Sequence, residues 1–367
     1  MTQEHFLIDL LALVKTLSQC RFSPSITMIR IISCSGPFLF RAPVAATWTT
    51  TIVSIPLEKK NMTAVTEFIL LGFQVGQNIR FLMFFLLLVI YCFTIFMNLL
   101  IIVLVSTSKN LRTPMYFFIS QLSVSDILLT TDIVPKMLHI LQHYRGYLHF
   151  TACLTQLYFF GATEAAECLL LTVMSYDRYV AICNPLRYTA IMTSTYCVTL
   201  SVTSWLAAFC FMVFLITTIS ILNFCGPNAI DHFFCDTGPL LELSCSDTLN
   251  VQLEIAFLST SFILIPLIII IASYAKIILS ILRIPSNTGR QKAFSTCSSH
   301  LIVVSIFFWT LFGIYIAPTK GKTSTISKMV SLLYTVVTPL INPIIYSLNN
   351  NDIKKAVHNH IYRRLRV

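Results

Sequence analysis

The stretch Met174 to Tyr188, MSYDRYVAICNPLRY, closes a long apolar run and puts a charge pair where that run ends. If the run crosses a membrane, Asp177 and Arg178 lie where hydrocarbon gives way to water. Charged residues at membrane depth are costly and are mostly kept for a function. The alternative is a membrane helix that ends in ordinary flanking charge, and the triplet Asp-Arg-Tyr alone does not separate the two.

The composition indicates a membrane protein. Hydrophobic residues make up 56% of the chain and charged residues only 11%, and the mean hydropathy is +0.79, whereas a soluble domain carries roughly 25% charged residues. Apolar runs of about 20 residues are long enough to cross a bilayer, and they must be helical there because a helix satisfies its own backbone hydrogen bonds. We find such runs at 81–106, 115–139, 153–177, 195–218, 252–280, 293–317 and 326–348, of which the second and seventh are the least apolar.

The distribution of Lys and Arg predicts the orientation, because short loops rich in positive charge stay on the cytoplasmic side. The loop 219–251 has neither Lys nor Arg, which places it outside the cell. The opposite loops and the C-terminal tail carry Lys109, Arg112, Arg178, Arg187, Lys276, Arg283, Arg290, Lys292, Lys354, Lys355, Arg363, Arg364 and Arg366. We therefore expect an extracellular N-terminus and a cytoplasmic C-terminus. The net charge of +10 follows mostly from this asymmetry and requires no nucleic-acid partner.

Cysteines and one sequon fit this orientation. Of the twelve cysteines, Cys153, Cys225, Cys235 and Cys245 fall on the predicted outer side, where an oxidising environment favours disulfides. Four cysteines permit three pairings, and the spacing does not choose between them. The N-glycosylation sequon at Asn61 precedes the first apolar run on the same side.

As a whole, the stretch MSYDRYVAICNPLRY resembles the third-helix signature of the olfactory receptors, a branch of the rhodopsin-like G-protein-coupled receptors. Further strings typical of that family recur in order from about Asn61 to Val357. They are TEFILLGF at 66–73, LRTPMYFF at 111–118, LSVSD at 122–126, VPKML at 134–138, CGPNAIDHFFCD at 225–236, LSCSDT at 243–248, KAFSTCSSH at 292–300 and PLINPIIYSLNN at 339–350. The chain departs from the family pattern at Met97, at Phe308-Trp309 and at Asn349, and the second departure bears on pocket shape or coupling.

The resemblance implies an all-α membrane protein, a seven-transmembrane helix bundle with a short amphipathic C-terminal helix, and not an enzyme. We expect residues 1–60 to be a disordered extension or a mis-assigned start, 61–80 an extracellular segment, 81–348 the receptor domain and 349–367 a cytoplasmic tail. Within the tail, 350–362 have apolar residues at a four-residue spacing that fits a helix lying on the membrane surface. The resemblance also implies the disulfides Cys153–Cys235 and Cys225–Cys245.

Ionisable residues within the apolar runs point to a polar centre. By resemblance, Asp126, Glu167 and Asn342 gather around a cavity that can hold a sodium ion, and no other cofactor or metal is expected. The alternative is that they are protonated or hydrogen-bonded structural residues. Glu164 shares a helix face with Glu167 because the two are three residues apart. It either pairs with a basic group of a ligand or shares a proton with Glu167.

A ligand pocket and a signalling switch complete the prediction. Helical periodicity places the following residues toward a mostly apolar pocket that suits a small volatile molecule: Phe160, Gly161, Glu164, Ala165, Leu258, Ser261, Phe262, Phe308, Leu311, Tyr315 and Thr335. Many of these could instead simply pack helix against helix. The resemblance places the G-protein switch at Asp177, Arg178, Tyr179, Tyr274, Lys292, Asn342, Pro343 and Tyr346.

The predicted function is an odorant receptor of the plasma membrane that activates an olfactory stimulatory G protein and raises cyclic AMP. One alternative is a family member that acts as a chemosensor outside the nose. A channel or transporter would need a continuous polar path, whereas the charges here form one internal cluster. His232, Cys235 and Asp236 are possible metal ligands, but the resemblance uses Cys235 in a disulfide. The sequence shows no catalytic constellation and no nucleotide-binding glycine loop.

Overall fold

The computed structural model describes residues 65–225, 228–316, 324–348 and 352–358. The predicted extension 1–60, the sequon at Asn61 and most of the predicted tail 349–367 lie outside the described residues. Lys292 and Tyr315 lie in a described helix, but the structure does not describe their side chains.

A bundle of seven helices dominates the described residues. The helices are α1 (Gln77–Thr107), α2 (Pro114–His143), α3 (Phe150–Cys183), α4 (Ser194–Ser220), α5 (Leu249–Leu282), α6 (Asn287–Ile316) and α7, which joins Ser324–Leu332, a π-helical turn Leu333–Val337 and Thr338–Leu348. Six are long and apolar enough to cross a membrane, and α6 adds the shorter apolar stretch Cys297–Gly313. The predicted fold class is confirmed.

The helices extend beyond the apolar runs that predicted them. The third apolar run predicts a span at 153–177, yet α3 continues to Cys183, so Asp177 and Arg178 lie inside the helix rather than at its end. Backbone hydrogen bonding continues into polar sequence, whereas apolarity marks only the part within hydrocarbon. Local signals set some ends: Pro114 occupies the first turn of α2, and the Thr193 hydroxyl accepts from the Tyr196 amide at 3.3 Å to cap α4.

The outer faces of the bundle are apolar. Phe81 and Leu82 on α1, Phe257 on α5 and Trp309 on α6 are each more than half exposed. Large exposed apolar surfaces mark contact with another apolar phase, which for helices of this length is lipid. Hydroxyls on these helices bond back to their own backbone, as Thr107 does to the Val103 carbonyl at 2.7 Å.

A three-stranded sheet covers one end of the bundle, which we call the disulfide end. Strand β1 (Glu67–Leu70) pairs antiparallel with β2 (Gly146–His149) and parallel with β3 (Ala229–Ile230), in the order β2-β1-β3. Phe68 and Leu70 of β1 are fully buried, and the Phe68 ring lies 5.9 Å from that of Phe224. The sheet was not predicted, because a strand of four residues carries no signal in the sequence without its partner strands.

Two cysteine pairs lie at the same end. The structure joins Cys153 to Cys235 and Cys225 to Cys245, with Cα atoms 5.5 and 5.8 Å apart, which is the pairing that the resemblance implied. The first pair fixes the loop between α4 and α5 to the first turn of α3. At the opposite end, which we call the Arg178 end, residues 352–358 form a helix with Ile353 buried and Lys354 and Lys355 exposed.

Candidate functional site

A cavity of about 330 Å³ lies among α3, α4, α5, α6 and α7, beneath the loop that follows Cys235. From α3 it is lined by Phe160, Gly161, Glu164 and Ala165, and from α5 and α6 by Phe262 and Leu311. All of these were predicted. The walls of the cavity are mostly apolar. The carboxyl group of Glu164 is the acidic group that α3 contributes to the lining.

Gly161 lets α4 come close to α3 at the cavity wall. A Cβ atom at this position would lie 2.6 Å from the Met212 sulfur, so a larger residue would force the Met212 side chain to move. Met212 itself lines the cavity. Because a methionine side chain is flexible, a substitution of Gly161 would reshape the cavity rather than break the bundle.

The loop after Cys235 supplies a second carboxyl group, that of Asp236. Its side chain accepts a hydrogen bond from the Thr237 amide at 2.8 Å and begins the short helix Thr237–Leu241. Burial raises the pKa of Asp236, and the hydrogen bond from Thr237 opposes that rise. Asp236 was not predicted to line the pocket. The sequence could have indicated this position, because a disulfide from Cys235 to Cys153 in the first turn of α3 also brings Asp236 close to α3.

Several predicted pocket residues do not line this cavity. Leu258 packs against the α3–α4 cluster around Met212, and the Ser261 hydroxyl donates to the Phe257 carbonyl at 2.7 Å. Phe308 is buried beside the Phe307 ring, and Thr335 donates to the Ser331 carbonyl at 2.8 Å. The lining residues of α5 are Gln252, Ile255, Ala256, Ser259, Phe262 and Ile263, so the face predicted for α5 was slightly rotated. From α7 the cavity receives Ser327 and Ser331, one turn before Thr335.

Below the cavity, the predicted polar centre is assembled. The Asn342 amide donates to the two carboxylate oxygens of Asp126 at 3.1 and 3.4 Å. Glu167 is buried next to Asp126. Neither Glu167 oxygen nor the Asn342 oxygen meets the geometry of a hydrogen bond to a described residue, although Asp126 and Tyr334 lie close enough to Glu167 to interact with its carboxyl group. Asn98 lies on α1 and donates to the Pro339 carbonyl at 3.1 Å, which ties α1 to α7.

At the Arg178 end, Asp177 holds two partners. Arg178 donates to one carboxylate oxygen through Nε at 3.0 Å and also through Nη2. Tyr188, in the short helix Tyr188–Ile191 between α3 and α4, donates to the other oxygen at 2.8 Å. Arg178 is nine-tenths buried. The predicted switch residue Arg178 is thus paired with its neighbour Asp177.

The aromatic switch residues are also buried at this end. The Tyr274 hydroxyl of α5 lies 2.5 Å from Nδ1 of His300 on α6, and Tyr346 on α7 is buried. Tyr179 lies beneath Lys276, with the ammonium 5.5 Å from the ring centroid. Pro343 follows Asn342 within α7. His300 was not singled out from the sequence, although it closes the quoted string KAFSTCSSH.

The His232, Cys235 and Asp236 group does not form a metal site. Cys235 is in the disulfide with Cys153. His232 is buried against the rings of Phe233 and Phe234, each 4.6 Å away. Burial, together with the nearby Lys328, lowers the pKa of His232 to about 3. Within the described residues no group of three or more His, Cys, Asp or Glu side chains is placed to hold a metal ion.

Comparison with known proteins decides the family. The olfactory receptor family model matches residues 87–364. Olfactory receptor 10A7 of Homo sapiens is 45% identical over 306 residues, which cover 83% of this chain and 97% of that relative. Olfactory receptor 5AP2 of Mus musculus is 46% identical over 310 residues, covering 83% and 98%. The chain belongs to the olfactory receptor family.

The fold agrees with this assignment. The crystal structure of squid rhodopsin superimposes with a TM-score of 0.63 over 80% of this chain and 88% of that chain, at 16% identity. The receptor is therefore a multi-pass membrane protein with a rhodopsin-like bundle. Its family consists of signalling receptors rather than enzymes, with odorants as ligands and heterotrimeric G proteins as partners. The resemblance stated from the motifs is confirmed.

Proposed function

We propose that this receptor binds a small volatile odorant in the cavity among α3–α7 and activates a stimulatory olfactory G protein, which raises cyclic AMP. The observation that carries the proposal is the cavity itself, which is about 330 Å³ in volume. Sites for small ligands combine apolar walls with a few polar groups that fix orientation. Phe160, Phe262 and Leu311 supply the walls, and Glu164 and Asp236 supply the polar groups.

In this proposal the disulfide end faces outside the cell at the plasma membrane. Disulfides persist in an oxidising compartment, and the loops rich in Lys and Arg belong to the cytoplasm. An odorant then reaches the cavity from outside, while the Arg178 end meets the G protein. The helix 352–358 would lie on the inner lipid surface with Lys354 and Lys355 toward the headgroups.

Coupling would pass through the buried contacts at the Arg178 end. Release of Arg178 from Asp177 would free a guanidinium for the G protein. The Tyr274–His300 contact joins α5 to α6, so an outward movement of α6 would have to break it. Tyr179, Lys292 and the α7 residues Asn342, Pro343 and Tyr346 would adjust around that movement.

A cyclic-AMP reporter screen of the full chain against a panel of volatile compounds tests the proposal. Once an agonist is found, Ala165→Phe should abolish the response, because the added ring fills the cavity. Ala207→Phe is the matched control, since Ala207 is exposed on the outer face of α4. Equal responses of both variants at matched surface expression would contradict the cavity assignment. Agonist-driven signalling without a rise in cyclic AMP would contradict the proposed coupling.

The same site would serve a family member that acts as a chemosensor outside the nose, and tissue expression separates the two. Family membership favours either role over a channel or transporter.

We further propose that Asp126, Glu167 and Asn342 hold a sodium ion. What supports this is a set of buried oxygens gathered at one place, two from Glu167 and one from Asn342, beside the Asp126 carboxylate, none of the three meeting the geometry of a hydrogen bond to a described residue. Carboxylate and amide oxygens suit hard cations. When bound, the ion would offset the buried negative charge.

The melting temperature of the purified receptor should be higher in sodium chloride than in choline chloride, and Asp126→Asn should remove that difference. A sodium effect that persists in this variant would place the ion elsewhere.

A further inference from the structure

Two histidines lie one helical turn apart at the end of α2. The ring centroids of His139 and His143 are 4.5 Å apart, with an angle of 46° between the ring planes. Both side chains are exposed. Among the described residues, no hydrogen bond is made to either ring. Imidazoles four residues apart on one helix face are a recurrent arrangement of metal ligands.

The turn that carries them stands beside the sheet rather than within hydrocarbon. Lys136, one turn earlier, donates from Nζ to the Tyr147 carbonyl in β2 at 2.7 Å. Ile140 packs so closely against Gly146 that a Cβ atom there would lie 2.7 Å from its side chain. Because both side chains are exposed at the disulfide end, an ion from the surrounding solution can reach both imidazoles.

The C-terminal end of α2, next to His143, is itself anchored. Tyr144 ends α2 in the left-handed conformation with φ of 67°. The Arg80 guanidinium carbon lies 3.0 Å from the centroid of the Tyr144 ring. The C-terminal end of a helix carries a partial negative charge that favours cations. A cation bound at His143 would lie in the last turn of α2, where this effect is strongest.

We propose that His139 and His143 form a binding site for a divalent transition-metal ion, Zn²⁺ or Cu²⁺. A tetrahedral ion with bonds of about 2.0–2.1 Å needs ligand nitrogens roughly 3.3 Å apart, which rings with this centroid separation reach by small rotations. Imidazole suits both ions, and Cu²⁺ binds the more tightly. Water would complete the coordination. The site is separate from the ligand cavity and does not depend on the proposed odorant response.

A bound metal ion would link two adjacent turns at the C-terminal end of α2 and so stabilise the disulfide end of the bundle. The test uses the full receptor in lipid nanodiscs, stripped with a chelator and titrated with CuCl₂ or ZnCl₂. Electron paramagnetic resonance of bound Cu²⁺ should show coupling to two imidazole nitrogens, and Zn²⁺ should raise the melting temperature. His139→Gln or His143→Gln should weaken binding at least about tenfold, the lower bound for losing even an outer-shell partner of a metal ligand.

His149→Gln is the matched control. His149 is exposed at the same end, but its Nδ1 lies 3.1 Å from the Thr151 hydroxyl and it is not part of the pair. This variant should bind like the parent. His143→Glu retains a ligand that Zn²⁺ accepts, so it should keep Zn²⁺ binding while the Cu²⁺ spectrum shows one nitrogen. Undiminished affinity in a double His139→Gln, His143→Gln variant would overturn the assignment, as would an equal loss in His149→Gln.

Discussion

At the scale of single residues, the two carboxyl groups of the cavity are held differently. Asp236 accepts the Thr237 amide, whereas no described residue donates a hydrogen bond to Glu164. Asp236 is near enough to act on Glu164 electrostatically. Glu164 is therefore the acid that a ligand can engage without giving up a bond within the protein. The competing view is that it shares a proton with Glu167.

If Glu164 is ionised and contacts ligand, amines should activate better than neutral odorants of equal size. Glu164→Gln keeps the volume and removes the charge, so it should weaken amine potency by about tenfold or more, which corresponds to about 1.4 kcal/mol. Desolvation of the pair limits the effect. Dose–response curves for matched amines and alcohols on both receptors measure this. Equal shifts for the two classes would leave Glu164 as a structural residue.

His232 predicts an acid sensitivity of the loop. Burial holds its folded pKa at about 3, below the usual 6.5 of an unfolded histidine. The unfolded chain therefore binds the proton more readily, and stability is lost as pH falls from about 6.5 toward 3. At pH 5 the loss is about 2 kcal/mol. His232→Phe should flatten the melting-temperature profile between pH 7 and pH 5, since neither ring nitrogen has a described hydrogen-bond partner to lose. A profile as steep as that of the parent would refute this.

At the scale of elements, the loop between α4 and α5 is the lid of the cavity, and the Cys153–Cys235 disulfide anchors it to α3. Cys153→Ala or Cys235→Ala should cost about 2–5 kcal/mol and retain the receptor inside the cell. The double variant should cost no more than either single one, because one bond is lost in each case. Cys92→Ala is the control, since Cys92 is free and exposed on α1. Surface staining against total receptor measures the effect, and normal staining of both single variants would contradict it.

The helices and strands also differ in how well the sequence predicts them. Runs of apolar residues predicted every helix of the bundle, since hydrocarbon admits little else. The rotation of α5 was slightly wrong because that helix is apolar on nearly all sides, so its sequence hardly marks an inward face. The sheet was missed because β1 gains its hydrogen bonds from segments far along the chain. Asp236 was missed for a related reason, since only a disulfide brings it over α3.

At the scale of the whole molecule, the two ends of the bundle are closed in different ways. The disulfide end is held by covalent bonds, the sheet and the Lys328 ammonium, which reaches the Gly72 carbonyl at 2.9 Å and pairs with Asp231. The Arg178 end has no disulfide among the described residues. Its polar contacts join Tyr274 of α5 to His300 of α6 and Tyr188 to Asp177 of α3, beside buried apolar residues such as Ile277. Polar contacts can exchange partners without loss of the fold, so we expect the Arg178 end to be the one that opens.

This asymmetry predicts opposite effects for the two members of one ion pair. Arg178→Ala should leave surface expression largely intact and abolish agonist-driven cyclic AMP, because it removes the group proposed to meet the G protein. Asp177→Asn should raise cyclic AMP without agonist, because it weakens the hold on Arg178 while keeping that residue. Arg187→Ala controls for charge, since Arg187 is exposed at the same end. Reporter output at matched surface level measures all three. If Asp177→Asn lowers signalling as Arg178→Ala does, the pair supports the active arrangement and the closed end proposed here is wrong.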